Sequence, residues 1–185
     1  MELKEEILEA TIKVFNKKGI KFTMDDLARE LSISKKTIYT VFKDKNELFL
    51  TMVDYLFDAI KDSEQKIMED DSLSTLEKIE GIMCVMPDSY KDLDFGQLYE
   101  LRDKYPKIYK QVELRLESGW ENTIVLLEQG KKEGLVKDIN IALVKMMFEA
   151  SLEQFFQRDV LKRSGISYKK ALDEVVTIIM SGIKK

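Results

Sequence analysis

Between Thr23 and Leu48 the chain reads TMDDLARELSISKKTIYTVFKDKNEL, two helical patterns with only Ser32-Ile33-Ser34 between them. Each pattern is about two turns long, and helices that short do not persist in water without a surface to pack on. Local signals nevertheless fix both starts. Thr23 and Asp26 form a capping box, with Phe22 and Leu27 placed as a hydrophobic staple. Ser34 caps the second helix, and Ile33 and Ile38 repeat the staple. Leu27, Leu31, Ile33, Ile38 and Phe42 then make one apolar set, with the small Ala28 where the helices cross. That set needs a first helix to rest on. Residues 3–18 supply it, with apolar positions at helical spacing and Gly19 at the stop.

Two short helices joined by a tight turn, the second polar and basic outside, are the helix-turn-helix pattern. Lys35, Lys36, Thr37, Tyr39 and Thr40 remain on the outer side of the second helix. A helix in the major groove meets base edges with its N-terminal residues, and its free N–H groups favour phosphate. Lysines at a helix start are otherwise mildly unfavourable, so their placement here points to a polyanion. Charge is distributed accordingly. Residues 29–46 hold five basic and two acidic side chains, whereas residues 48–185 hold 20 basic and 25 acidic ones, for a net charge of −4 overall.

Most other chemistry is excluded. Histidine is absent and Cys84 is the only cysteine, which removes the usual nucleophile–base pairs, thiolate metal clusters and an internal disulfide. No phosphate-cradling glycine loop is present. The chain is therefore read as no enzyme, with no metal and no cofactor. Cys84 sits among Ile82, Met83, Val85 and Met86, which reads as a buried, inert thiol. No apolar run reaches the roughly 18 residues needed to span a bilayer, and the acidic N-terminus is unlike a signal peptide, so a cytoplasmic location is expected.

With two prolines and eight glycines in 185 residues, the remainder reads as helix. Asp44 with Glu47 starts a helix from Lys45 to about residue 68, and Ser74 with Glu77 starts another that ends before Pro87. A short helix is expected near residues 95–104. Pro106 opens a long one to about residue 132, closed by Gly134. Asp138 is placed to cap a helix running to about residue 162, and residues 168–184 form the last. The expectation is an all-α chain of about nine helices.

The stretch ILEATIKVFNKKGIKFTMDDLARELSISKKTIYTVFKDKNELF, residues 7–49, resembles the TetR family of bacterial transcriptional regulators. The likeness lies in Phe15 and Gly19, Thr23, the DLA of residues 26–28, SKKTIY, Phe42, and Lys45 with Glu47 and Leu48. Two positions depart from it: Ser32 stands where the turn usually has glycine, and Thr40-Val41 where aromatic residues or histidine are usual. The resemblance implies a DNA-binding domain over residues 1–47 and a larger helical bundle over 48–185 that dimerises and senses a ligand. It also implies that Thr37 and Tyr39 face DNA, with Thr23 and Lys45 on phosphates and Lys35 and Lys36 on phosphates or guanine edges.

For the larger part the implied partners are a second copy of the chain, a palindromic operator in double-stranded DNA, and a small-molecule effector. The last two helices are apolar over wide arcs, as helices packed on two sides are. Phe148, Leu152, Phe155, Leu172, Val175, Val176 and Ile179 are the candidate dimer interface. A stripe of Val112, Leu116, Trp120 and Thr123, flanked by Glu117 and joined by Met83, Met86, Tyr90, Phe95 and Tyr99, is the candidate pocket for an apolar or cationic molecule. The expected function is a homodimeric repressor released from its operator by a ligand. Two alternatives stay open: a DNA-binding regulator without a ligand, and a helical dimeric interaction module without specific DNA binding.

Overall fold

The computed structural model describes residues 2–87, 100–157 and 160–185. The regular structure among them is helical, apart from one isolated antiparallel bridge between Val136 and Lys184. Three helices form the N-terminal unit: α1 (Leu3–Lys18), α2 (Met24–Leu31) and α3 (Lys35–Val41). The Thr23 box closes in both directions, and Ser34 Oγ accepts from Thr37 N at 3.1 Å. Ser32 ends α2 in the left-handed region at φ 54°, its N–H returned to the helix carbonyls. This is the position glycine ordinarily fills.

Ile7, Phe15, Phe22, Leu27, Ile38 and Phe42 are buried where α1–α3 meet. The next helix, α4 (Lys45–Glu69), shares that core, because Phe49 packs 5.7 Å from the Phe15 ring and 5.3 Å from that of Phe22. Full burial of a side chain like Phe49 contributes about 1.5–3 kcal/mol, so the start of α4 is anchored to the N-terminal unit. Asp44 caps α4 as expected, but Glu47 reaches past the box to the N–H of Lys43, at 2.6 Å.

The C-terminal body wraps the rest of α4. It comprises α5 (Thr75–Met83), α6 (Leu101–Lys104), α7 (Pro106–Glu117), α8 (Glu121–Lys132), α9 (Ile141–Gln157), α10 (Val160–Ser164) and α11 (Tyr168–Ile183). Helix α5 lies between α4 and α8, and α7 runs along α4, held by Gln111 Nε2 on Asp54 at 2.8 Å and Arg115 on Asp58 at 2.5 Å. The chain end closes the bundle, with Lys137 N donating to Ile183 O at 2.8 Å and Lys185 N to Leu135 O at 3.0 Å.

Three helix boundaries differ from the sequence expectation. The long helix opened by Pro106 breaks at Ser118–Trp120, where Gly119 adopts φ +77°. Asn140, not Asp138, caps α9: its Oδ1 accepts from Ala142 N at 3.0 Å, while Asp138 lies exposed and pairs with Lys131. Helix α9 ends at Gln157, and the separate α10 follows before Gly165, which has φ +64°. Of the helix expected near residues 95–104, only Leu101–Lys104 lies within the described residues.

Candidate nucleic-acid interface and ligand cavity

Helix α3 turns Ile38 fully into the core, which puts its other flank in solvent. Lys35, Lys36, Tyr39 and Thr40 are exposed there, Tyr39 at 48%, and Thr37 is half-buried. Two side chains are held by local bonds: Thr37 Oγ1 lies 2.9 Å from Ser34 Oγ, and Thr40 Oγ1 donates to Thr37 O at 2.6 Å. Lys35 is not idle, since its ammonium pairs with Asp25 at 3.0 Å. Asp25 sits on α2, so the approach of this acid to Lys35 exists only once the two helices cross.

Thr23 is exposed at the start of α2, and its hydroxyl donates to Asp26 Oδ2 at 3.0 Å. Lys18 of α1 reaches the same carboxylate at 2.7 Å. Chiefly through that bond, and then through Thr23, the Asp26 carboxyl is held well below the usual carboxylate range. Lys45, which the resemblance puts on a phosphate, has partners within the chain. Its ammonium turns inward, donating to Ile20 O at 2.8 Å and to Phe22 O, and sits 4.2 Å from the centre of the Phe22 ring. Burial lowers the Lys45 pKa, with Asp26 opposing. The α1–α2 connection leaves two carbonyls facing the start of α4, and Lys45 satisfies both.

A cavity of about 110 Å³ opens between α4, α5, α7, α8, α9 and α11. Of the candidate pocket residues, Met83, Met86, Val112, Leu116, Trp120 and Thr123 line it. Glu117 does not, being exposed with its carbonyl accepting from Lys145 at 3.4 Å. The α7–α8 break swings it off the stripe. Tyr90, Phe95 and Tyr99 lie outside the described residues. Sequence reasoning missed the α4 wall, Leu56, Phe57, Ile60, Lys61 and Glu64, because nothing in α4 taken alone marks which of its faces is hollow. It also missed Tyr168, whose phenol burial pushes well above its ordinary value.

One end of the cavity is polar. Glu64, only 6% exposed, accepts from Lys61 at 2.8 Å on each oxygen, and Lys61 also donates to Gly119 O. Burial raises the Glu64 pKa, while the bonds from Lys61 and Asn122 oppose that rise. Arg115 is held at the same end by Asp58 and lies 5.5 Å from the centre of the Phe57 ring. Burial pushes the Cys84 thiol up to about 12, in keeping with an inert cysteine.

The candidate dimer residues lie mostly inside the single chain. Phe148, Leu152, Phe155, Leu172, Val176 and Ile179 are buried within the single chain, and Val175 is half-buried. Phe148 packs edge-on to Trp120 at 5.5 Å, and Phe155 to Tyr168 at 5.9 Å. What the two helices leave exposed is the other side of each arc: Leu143 at 52%, Met146 at 56% and Met147 at 59% on α9, and Ile178 at 71% on α11. A helix with two apolar stripes does not reveal from sequence which one its own body covers.

No helix among the described residues is long and apolar enough to cross a membrane. Nor do the described residues gather three or more acidic or cysteine side chains that could hold a metal ion. Residues 7–52 match the family described as bacterial regulatory proteins, tetR family. An uncharacterized HTH-type transcriptional regulator of Bacillus subtilis (strain 168), YvaF, is 27% identical over 177 residues, 96% of this chain and 93% of that one. Among solved structures, a TetR transcription regulator from Haloarcula marismortui superposes with a TM-score of 0.75 at 17% identity, covering 98% of each chain. The Bacillus subtilis transcriptional regulator FadR, in complex with stearoyl-CoA, has a TM-score of 0.58 at 19% identity, covering 97% of this chain and 98% of that one.

Proposed function

We propose that this chain, whose N-terminal domain is of the tetR family and whose helical body has the fold of that family's solved members, is a homodimeric repressor of transcription released from its operator by a small molecule. The observation that carries the reading is α3, with Ile38 buried and Lys36, Tyr39 and Thr40 turned to solvent along its other flank. That presents a polar and cationic flank of the size a major groove admits. Thr37 and Tyr39 read bases; Thr23, Lys35 and Lys36 contact phosphates, with Lys35 leaving Asp25 to do so.

One such head specifies few base pairs. A twofold dimer presents two heads to half-sites about one helical turn apart, near 34–36 Å, so the operator is palindromic. The face of Leu143, Met146, Met147 and Ile178 is the surface we assign to that dimer. Functionally the chain divides at residues 47/48, into a reading head and a sensing and dimerising body. The packing of Phe49 against Phe15 and Phe22 makes α4 the link between the two.

The apolar cavity beside α4 supports the effector reading, and a neighbour of the same fold holds an acyl-CoA. An apolar or cationic molecule suits its lining. A ligand favours release only if it binds better to the conformation in which the two heads no longer fit adjacent grooves. The protein acts where chromosomal DNA lies, in the cytoplasm, and no catalysis is assigned to it.

Selection from a randomised duplex library at physiological salt tests this reading, with Tyr39→Ala run alongside. Enrichment of a palindrome that the variant loses is the expected result. No enrichment above the variant would overturn sequence-specific binding and favour an interaction module.

A further inference from the structure

The polar end of the cavity is built around one nitrogen. Glu64 Oε1 and Oε2 each lie 2.8 Å from Lys61 Nζ, and the Gly119 carbonyl points at the same atom. An ammonium has three N–H donors, so three convergent acceptors saturate it. The backbone is shaped to make this cup. Gly119 stands at φ +77°, and a Cβ there would sit 2.7 Å from Lys61 Nζ and 2.5 Å from its Cε. A side chain at that position would close the space the ammonium fills.

The two charges of the pair are held differently. The Glu64 side chain is only 8% exposed and projects from α4. The Lys61 side chain is 36% exposed, and a long methylene stem can carry its head to water. The geometry points to a ligand class: a protonated organic amine with an apolar, preferably aromatic, body. In this proposal, which rests on the cavity being an effector site, the ligand's ammonium takes the cup and Lys61 swings out to solvent. Glu64 keeps one cationic partner throughout, so no buried charge is left unpaired. Trp120, Phe57 and Phe148 line the adjoining space, and aromatic faces attract a cation.

An anionic ligand is disfavoured on the same geometry. It would approach Glu64 with Lys61 already saturated, and the other lining cation, Arg115, is held by Asp58 at 2.5 Å. A neutral apolar ligand could fill the cavity yet would leave the cup untouched. Only the amine takes Lys61 off the Gly119 carbonyl, the bond by which that side chain ties α4 to the α7–α8 break.

Trp120 is the only tryptophan in the chain and lines the cavity, so its fluorescence reports occupancy directly. The wild-type dimer is titrated with 2-phenylethylammonium, 2-phenylethanol and 3-phenylpropionate near pH 7. The amine is expected to bind about ten-fold or more tighter than the other two, the range of a charge-assisted contact. Lys61→Met, which empties the cup, should tighten the amine further, and Glu64→Gln should erase its advantage while leaving the alcohol unchanged. Thermal melts confirm that each variant is folded, and the wild-type comparison needs no variant. If the alcohol or the anion binds as tightly as the amine, the ammonium cup is refuted and the effector cavity stands. If none of the three binds either wild type or Lys61→Met, both readings fall.

Discussion

Lys45 invites a decisive perturbation, because two physical roles predict different losses. In the structure its methylene stem carries the ammonium to Ile20 O and Phe22 O and over the Phe22 and Phe49 rings. Lys45→Met keeps most of that stem and removes the donors. A hydrogen bond from a charged donor contributes about 1.5–3 kcal/mol, and stranding a buried carbonyl costs about 1–3 kcal/mol. Lys45 is only half-buried, so water can reach part of the vacated space and the ammonium regains hydration when unfolded. The net expectation is a loss of about 2 kcal/mol. For a chain of this size that is roughly 4–8 °C in Tm.

A phosphate clamp predicts something else. Removing one phosphate contact lowers the slope of log K against log[salt] by about 0.9 and leaves stability nearly unchanged. The assay is therefore paired: thermal melts at one fixed protein concentration, since dimerisation makes Tm concentration-dependent, and operator binding across a salt series. A melting point within a degree of wild type, with a slope reduced by about one unit, would refute the inward-facing role and return Lys45 to the DNA.

Ser32→Gly should stabilise the protein by about 0.5–1 kcal/mol, because a residue with a Cβ in the left-handed region is strained and glycine is not; an unchanged or lower Tm would refute the strain. Met146→Glu combined with Met147→Glu should yield folded monomers by light scattering and abolish palindrome binding, whereas an intact dimer would move the interface off this face of α9. Asp26, held below the usual carboxylate range by Lys18 and Thr23, contributes stability that is present above its unfolded pKa of about 3.9 and is lost as pH falls through the folded value. Urea titrations of Asp26→Asn should accordingly show a flatter acid limb than wild type, and identical limbs would refute that linkage.

The reading head was legible because its signals are local. A cap and its box lie three residues apart, the staples five, and the structure realises Thr23–Asp26, Ser34 and Ser74–Glu77 as written. Position-specific contacts were not legible where they depend on what another element presents. Nothing near Lys45 in sequence announces two carbonyls 23 and 25 residues earlier. The break at Gly119 is similar, since glycine inside a helical pattern is tolerated and only the Lys61 head on its carbonyl makes the left-handed turn useful. For α9 and α11 the sequence shows two apolar stripes and does not mark which of them the chain's own body covers. Both stripes exist, and the stripe that the chain's own α8 and cavity cover is the one that was expected to face a second copy.

Lys45 and Lys61 use the same device at two points of one helix. Each sends a half-buried ammonium from α4 to backbone carbonyls at a chain turn, the first to the α1–α2 connection and the second to the α7–α8 break. They stand 16 residues apart, about 24 Å along a helix rising 1.5 Å per residue. Between them Asp54 and Asp58 hold Gln111 and Arg115 of α7. A rigid helix latched at two points transmits tilt rather than local distortion. An event that releases Lys61 therefore need not reshape the reading head: with Lys45 still fastened, α1–α3 move with α4 as one body. The coupling predicts that Lys61→Met alone weakens operator binding without any effector, while its Tyr39 face stays folded. Operator affinity equal to wild type in that variant would show that the Gly119 latch carries none of the signal.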